Sequence, residues 1–260
     1  MRLDCHSHIS APALFSGLTL EGLIDLADRL SIDQLCCSLP VVDGQPTPEE
    51  VRACNDAVHA AMCAFPDRIL GYCYVNPGYG HEALEEIDRC LNELGMIGVK
   101  LYRQYKANDP VVFPVIEQAI SMDVPVLWHA GNQTSLIRGQ LDLLDKNTSH
   151  AGDIAELARR YPESTLIEGH IGGGGDWEWA IRQLRHVPNV YLDTSGTVID
   201  SGMIEMAAHE LGTGRLLFGT DMTMEGGVGK ILSADLTPEQ RDEVFWRNMQ
   251  RILSRRNARR

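Results

Sequence analysis

Short apolar runs alternate with longer amphipathic segments along the chain. Residues 68–75 form a run of apolar, aromatic and β-branched side chains, whereas the apolar residues after Thr19 recur at helical spacing. This pattern predicts eight strands, at residues 2–6, 32–39, 68–75, 96–102, 124–129, 165–168, 189–193 and 215–219. Because segments of helical character separate the strands, we expect the strands to be parallel.

Cap residues mark the ends of the predicted helices. Thr47-Pro48-Glu49-Glu50 and Thr237-Pro238-Glu239-Gln240 are capping boxes with proline at the first helical position. Thr19 and Asp176 can each cap a further helix, and Gly95 stands where a left-handed helix end is expected. The predicted helices lie at residues 19–30, 47–65, 81–94, 109–122, 153–161 and 199–211, with two more beginning at 176 and 237.

Eight such units in 260 residues predict a closed (β/α)8 barrel, and we assign residues 1–260 to a single domain. No G-x-G-x-x-G sequence follows the first strand, which argues against an open dinucleotide-binding sheet. We therefore expect functional residues at the carboxyl ends of the strands, where the active sites of such barrels lie.

Composition narrows the class of protein. The formal net charge of −13 argues against a nucleic-acid partner, and no apolar stretch is long enough to span a membrane. The seven cysteines include no Cys-x-x-Cys pair, and no signal peptide precedes the first strand. These features favour a cytoplasmic protein with reduced thiols and a small-molecule substrate, and they leave a homodimer open.

Histidine and aspartate stand at the ends of four predicted strands. His6 and His8 end the first strand, where alternation points both side chains the same way and places Cys5 on the opposite face as a packing residue. Further candidates follow the fifth, sixth and eighth strands: His129, His170 and Asp221. Because these ends share one face of a barrel, and imidazole and carboxylate bind divalent metals, we predict a metal site there.

This arrangement resembles the amidohydrolase superfamily. Asp-x-His-x-His on the first strand, with the later histidines and Asp221, is similar to its ligand pattern, and Glu168-Gly169-His170-Ile171-Gly172-Gly173 resembles the amidohydrolase-related branch. That branch contains aminocarboxymuconate-semialdehyde decarboxylase and several lactonases. The resemblance implies that one divalent metal, most often zinc, with manganese as an alternative, is bound by His6, His8, His129 and Asp221. It also implies that His170 is a catalytic acid–base.

Three further side chains are candidates for binding an anionic substrate: Lys100, Arg103 and Arg138. Lys100 ends the fourth strand, where some members of the superfamily carry a carboxylated lysine that bridges two metals, so a binuclear centre stays open. Otherwise Lys100 is expected to pair with an anionic group of the substrate or to contact the side chains that bind the metal. Arg103 and Arg138 follow the fourth and fifth strands and can hold a carboxylate through two hydrogen bonds, or can be ordinary surface residues.

We expect a metal-dependent hydrolase in which a metal-activated water attacks an ester, lactone or amide carbonyl, with His170 and Asp221 moving protons. The alternative is a non-oxidative decarboxylase of a small unsaturated or aromatic acid that uses the same metal. A barrel that has lost activity and serves as a binding protein is a third hypothesis, and the complete set of candidate ligands argues against it.

Overall fold

In a computed structural model of the protein, residues 1–9, 18–131, 147–171, 173 and 176–259 are described. Eight strands follow one another around a single sheet, and each is parallel to the next. They are β1 (Leu3–His8), β2 (Gln34–Ser38), β3 (Ile69–Tyr74), β4 (Gly98–Leu101), β5 (Val126–His129), β6 (Leu166–Gly169), β7 (Val190–Asp193) and β8 (Leu216–Leu217). The predicted (β/α)8 barrel is confirmed.

Helices cover the outside of this sheet. They are α1 (Leu20–Arg29), α2 (Pro48–Ala64), α3 (His81–Asp88), α4 (Phe113–Ser121), α5 (Ala151–Arg160), α6 (Trp177–Leu184), α7 (Met203–Leu211), α8 (Met224–Ser233), α9 (Pro238–Asp242) and α10 (Asn248–Arg259). None of the helices in the described residues combines the length and apolar character needed to cross a bilayer.

Most of the predicted helix ends are confirmed. Thr19 caps α1 through the backbone N–H of Gly22, and complete capping boxes begin α2 and α9. Two predictions are wrong. Asp176 precedes α6 but its side chain makes no capping hydrogen bond. The helix expected from residue 199 begins at Met203, because Gly202, at φ 84°, turns the chain immediately before it.

Helix α8 was not predicted from the sequence. Gly226, Gly227 and Gly229 lie inside it, and glycine lowers helix propensity by about 1 kcal/mol relative to alanine. A Cβ at position 227 would stand 3.0 Å from the Cγ2 atom of Thr220. Glycine there lets α8 pack closely against the end of β8, so tertiary packing outweighs local propensity.

Two apolar layers hold the barrel together. The inner layer fills the barrel and is closed below by Met249 and Ile252 of α10; its other buried members are Leu3, Cys5, Cys36, Tyr72, Leu127, Ile167, Tyr191 and Leu217. The outer layer lies between the sheet and the helices and includes Val99, Trp128 and Phe218. Strand residues therefore alternate between the two layers, as expected for a barrel whose helices form an outer ring.

A bulge in β1 changes the alternation expected there. Asp4 pairs with Leu35 and Ser7 pairs with Cys37, so two residues of β1, Cys5 and His6, stand opposite the single Cys36. Cys5 therefore belongs to the inner layer, on the same side of the sheet as His6, and the prediction that it faces away from His6 is wrong. It is a packing residue, as predicted, since it belongs to neither group of candidate metal ligands among the described residues.

The carboxyl group of Asp4 joins β8 to β1 and so closes the barrel. It accepts hydrogen bonds from the hydroxyl of Thr220 at 2.5 Å and from the backbone N–H groups of Thr220 and His6, each at 3.0 Å. Backbone bonds from Cys5 to Phe218 and from Asp221 to His6 cross the same seam. Strand β8 is thereby held beside β1 and presents Asp221 next to the histidines of β1.

Replacing Thr220 with valine should lower the free energy of unfolding by about 1–3 kcal/mol, because a buried acceptor loses one donor while the side-chain volume is kept. Urea denaturation measures the change, and Thr220→Ser, which keeps the hydroxyl, is the matched control. Equal stability of Thr220→Val and the wild type would show that this seam does not depend on the hydroxyl.

Candidate metal centre

The carboxyl ends of six strands bring seven ionisable side chains together on one face of the barrel: His6, His8, Lys100, His129, His170, Asp193 and Asp221. Five of them are candidates from the sequence for metal binding or catalysis, and Lys100 is a candidate for substrate binding. Asp193, at the end of β7, was missed. An aspartate after an apolar run at a strand end is the same signal that singled out Asp221, so the sequence contained the information needed to find it.

Two sets of side chains place their possible ligand atoms within 4.8 Å of one another: His6, His8 and Asp221, and His6, His170 and Asp193. In the first set, Asp221 Oδ1 lies 3.0 Å from His8 Nε2 and 3.8 Å from His6 Nε2. Three of the four predicted metal ligands thus converge. The fourth, His129, is joined to the cluster by its Nδ1, which lies 2.9 Å from His170 Nε2.

The donor and acceptor pattern of these rings fits a metal ion. His8 Nδ1 lies 3.1 Å from the carbonyl oxygen of Ser38 and donates to it, so Nε2 carries a lone pair and faces the carboxylate of Asp221. Two acceptors at this distance repel unless a cation or a proton lies between them. In addition, His129 Nε2 is buried without a hydrogen-bond partner. Both features are what a divalent cation would satisfy.

Two of these residues have strained backbones. His170 has φ 76° and Asp221 has φ 45°, in the left-handed region that side chains other than glycine rarely occupy. The backbone N–H of His170 donates to Asp193 Oδ1 at 3.0 Å, and that of Asp221 donates to the carbonyl of His6 at 2.8 Å. Local strain held in place by such bonds is typical of functional sites.

Burial determines the charge state of the imidazoles. Burial, with the nearby ammonium of Lys100, lowers the pKa of His6 to about 4, and burial together with the His170 ring lowers the pKa of His129 well below 6.5. Burial alone would raise the pKa of Asp221, but interaction with His170 and His6 outweighs it and holds that pKa well below 3.8. At neutral pH the site therefore offers neutral imidazoles and an ionised carboxylate, the forms that bind metals.

The metal-free protein should become less stable as the pH falls from about 6.5 to 4. The unfolded chain takes up protons on His6, His129 and His170 in this range, whereas the folded chain, with lowered pKa values, does not. Asp4, whose pKa burial raises to about 8, and Glu168, whose pKa burial raises well above 4.5, act in the opposite direction. Because three imidazoles oppose two carboxyl groups, we expect the melting temperature to fall, and excess Mn²⁺ at pH 6.5 should raise it. A melting temperature that rose from pH 6.5 to 4 would contradict this assignment.

Lys100 lies buried inside the cluster. Its Nζ is 2.9 Å from His6 Nε2, and it forms no ion pair with a carboxylate of the described residues. Burial lowers the pKa of Lys100 to about 8, which the negative charges of Asp221 and Asp193 partly counteract. The ammonium therefore carries positive charge at pH 7 and faces the same nitrogen that a metal would use.

Arg103 does not join the cluster in the described residues. Arg103 donates to the carbonyl of Val42 and to the carboxylate of Asp43, and its guanidinium lies 5.4 Å from the ring centroid of Tyr102. Arg138 lies outside the described residues, so its predicted role stays a prediction. Tyr102, which the sequence did not single out, lies with its ring centroid 4.1 Å from that of His129 and forms an aromatic wall beside it.

Comparisons with known proteins agree with this geometry. A family model described as "Amidohydrolase" matches residues 4–255. A gamma-resorcylate decarboxylase of Polaromonas sp. (strain JS666 / ATCC BAA-500) is 24% identical, over 88% of this chain and 86% of that protein. A 2-keto-4-carboxy-3-hexenedioate hydratase of Sphingobium sp. (strain NBRC 103272 / SYK-6) is 22% identical, over 80% of this chain and 72% of that protein.

Solved structures share the fold. A dihydroxybenzoic acid decarboxylase from Polaromonas sp. JS666, with bound manganese and the inhibitor 2-nitroresorcinol, superposes with a TM-score of 0.79 at 19% identity, covering 97% of this chain and 96% of that one. A 5-carboxyvanillate decarboxylase from Sphingomonas paucimobilis superposes with a TM-score of 0.74 at 15% identity, covering 97% of this chain and 98% of that one. The metal seen in such relatives is manganese, so the more specific prediction of zinc is not confirmed.

Proposed function

Because the chain belongs to the amidohydrolase family, we propose that it is a metal-dependent, non-oxidative decarboxylase of a small aromatic or unsaturated carboxylic acid. The similar proteins named above are decarboxylases and a hydratase, and none is named for hydrolysis of an ester, lactone or amide. The hydrolase that we favoured from sequence is therefore less well supported than its decarboxylase alternative.

One observation in the structure carries the proposal: the buried ammonium of Lys100 beside the candidate metal ligands. A cation enclosed in a barrel is unfavourable unless an anion accompanies it. The negative charges of Asp221 and Asp193 offset the charge of Lys100 only in part, and no carboxylate of the described residues forms an ion pair with it. The carboxylate of a substrate bound between Lys100 and the metal would supply that charge. This arrangement suits an acid substrate better than a neutral ester or amide.

The reaction replaces a carboxylate by a proton. A proton is added to the carbon that bears the carboxylate, the bond to the carboxylate breaks, its electron pair returns to the ring or double bond, and carbon dioxide leaves. Asp221 and His170 are the candidate proton-transfer pair, since Oδ2 of Asp221 lies 3.4 Å from Nδ1 of His170. The side chain of Asp221 is 30% exposed, whereas that of His170 is 4% exposed. We assign the proton that reaches the substrate to this pair.

The metal, held by His6, His8, His129 and Asp221, would supply charge stabilisation at the oxygens of the substrate. The chain's own residues do the rest. Lys100 binds the carboxylate, Tyr102 forms an aromatic surface beside His129, and the inner apolar layer below His6 keeps water from the floor of the site. A low-dielectric floor strengthens each charged contact made above it.

A substrate panel tests the proposal directly. Purified protein loaded with Mn²⁺ is incubated with 2,6-dihydroxybenzoate, 5-carboxyvanillate and other hydroxylated benzoates, and release of carbon dioxide is measured. Esters and lactones of matched size are assayed in parallel for acid release. Release of carbon dioxide that depends on the metal supports decarboxylation. Turnover of the esters or lactones alone would overturn it in favour of the hydrolase.

A further inference from the structure

The hydrogen bonds of the cluster determine which nitrogen of each ring carries its proton. His6 Nε2 lies 2.9 Å from Lys100 Nζ, and an ammonium only donates, so this nitrogen carries a lone pair. The proton of His6 is then on Nδ1, which lies 2.7 Å from Asp193 Oδ2. Both side chains are fully buried, so no solvent competes for this bond.

The other oxygen of Asp193 is surrounded by donors. Asp193 Oδ1 accepts from the backbone N–H of His170 at 3.0 Å, from the backbone N–H of Ser195 at 2.8 Å and from the hydroxyl of Ser195 at 2.5 Å. The hydroxyl hydrogen of Ser195 is thus committed to Asp193. Ser195 Oγ can then only accept from His170 Nδ1, 3.0 Å away, which places the proton of His170 on Nδ1.

The same logic extends to His129. With its proton on Nδ1, His170 has a lone pair on Nε2, and this atom lies 2.9 Å from His129 Nδ1. His129 must therefore donate through Nδ1, which leaves its Nε2 unprotonated. That nitrogen is the buried atom without a hydrogen-bond partner. The series of bonds that begins at Asp193 ends in a bare nitrogen suited to a metal.

We propose that Asp193 and Ser195 are positioning residues that fix the tautomers of the histidine cluster, so that Nε2 of His6 and Nε2 of His129 are both left unprotonated and able to bind a metal. One carboxylate acts on His6 directly and on His129 through Ser195 and His170. The proposal rests on the metal site of the proposed function but not on the reaction that the site catalyses. Hydrogen bonds to the far nitrogen of a metal-binding histidine control its orientation and metal affinity in the same manner.

The substitution Asp193→Asn would reverse the direction of one bond. Three donors converge on the Oδ1 position, so the oxygen of the new amide must occupy it and the NH₂ group must face His6. His6 Nδ1 then has to accept, and its proton moves to Nε2, where it blocks metal binding. Shape is almost unchanged in Asp193→Asn, so this variant changes the hydrogen-bond direction with little change in packing.

Nitrogen-15 NMR of histidine-labelled, metal-free protein tests the proposal, with signals assigned by His6→Gln and His129→Gln. In the wild type, His6, His129 and His170 should all be neutral rings protonated on Nδ1. In Asp193→Asn the His6 signal should change to the Nε2-protonated form. Affinity for Mn²⁺, measured by EPR of the free ion, should fall roughly 10–100-fold.

Two further variants separate positioning from general damage. Ser195→Ala removes the hydroxyl that links Asp193 to His170 and His129 but keeps the bond between Asp193 and His6. His6 should therefore stay protonated on Nδ1, and the Mn²⁺ affinity should fall less than in Asp193→Asn. Glu86→Gln neutralises another buried carboxylate, bonded to Asn55 and Arg89 away from the site, and should bind Mn²⁺ as the wild type does.

Protonation of His6 or His129 on Nε2 in the wild type would overturn the proposal, even if neither Asp193→Asn nor Ser195→Ala folded. Unchanged His6 signals and Mn²⁺ affinity in Asp193→Asn, or an equal loss in Glu86→Gln, would also overturn it. Correct tautomers and metal affinities without release of carbon dioxide from any acid would instead leave the positioning role in place and remove the proposed function.

Discussion

Asp221→Asn should reduce turnover of the acid identified by the substrate panel by about 10²–10⁴-fold, the usual contribution of a positioned proton-transfer group. Among the described carboxylates of the cluster, Asp221 is the one that opens toward solvent, and it stands 3.4 Å from His170 Nδ1. An amide oxygen can still bind a metal, but an amide cannot take up and release a proton as a carboxylate does. We therefore expect kcat to fall much more than the Mn²⁺ content.

The measurement combines kcat with metal content per chain by elemental analysis. Asp200→Asn is the matched control, because Asp200 follows β7 as Asp221 follows β8, but it accepts a hydrogen bond from Trp177 rather than contacting a histidine. Loss of both metal and turnover in Asp221→Asn would assign this residue to metal binding alone. Undiminished turnover would move the proton-carrying role to His170.

The fold could be predicted because the same strand and helix pattern recurs along the chain. Strand and helix patterns alternate eight times, and capping boxes such as Thr47-Pro48-Glu49-Glu50 mark helix starts through local hydrogen bonds that need no tertiary contacts. Helix α8 was not predicted, because its three glycines lower the helix propensity of the segment. The helix is stabilised instead by packing against Thr220. Helical structure of this kind depends on partners that a local pattern does not contain.

Most of the residues of the site could be predicted from the sequence, but the contacts between them could not. Strand alternation correctly brought His6 and His8 to one face, but the bulge opposite Cys36 also turned Cys5 inward, and no periodic rule locates a bulge. Asp193 carries the same signal as Asp221, yet its importance lies in contacts with His6 and Ser195 from other parts of the chain. Such long-range hydrogen bonds follow from the closed barrel and are visible only once it is built.

Replacing Lys100 with methionine should leave about one metal per chain, raise the affinity for Mn²⁺, and raise KM for the acid substrate roughly 10–100-fold. Lys100 Nζ donates to His6 Nε2 in the metal-free protein, so the ammonium competes with a metal for that lone pair. Methionine fills a similar volume without the charge. A hydrogen bond to a charged group contributes roughly 1.5–3 kcal/mol, which corresponds to the expected change in KM.

This variant also decides between the two roles that the sequence left open for Lys100. A carboxylated lysine bridging two metals would give two ions per chain in the wild type and one or none in Lys100→Met, with turnover lost rather than KM raised. Lys106→Met removes a charge from the loop after the same strand, where Lys106 lies 3.8 Å from Asp153, and should alter neither metal content nor KM. Because a metal and an ammonium cannot share one lone pair, Lys100 must leave His6 when the metal binds. Under the proposed function, the carboxylate of the substrate would then be the partner that balances the charge of Lys100 inside the barrel.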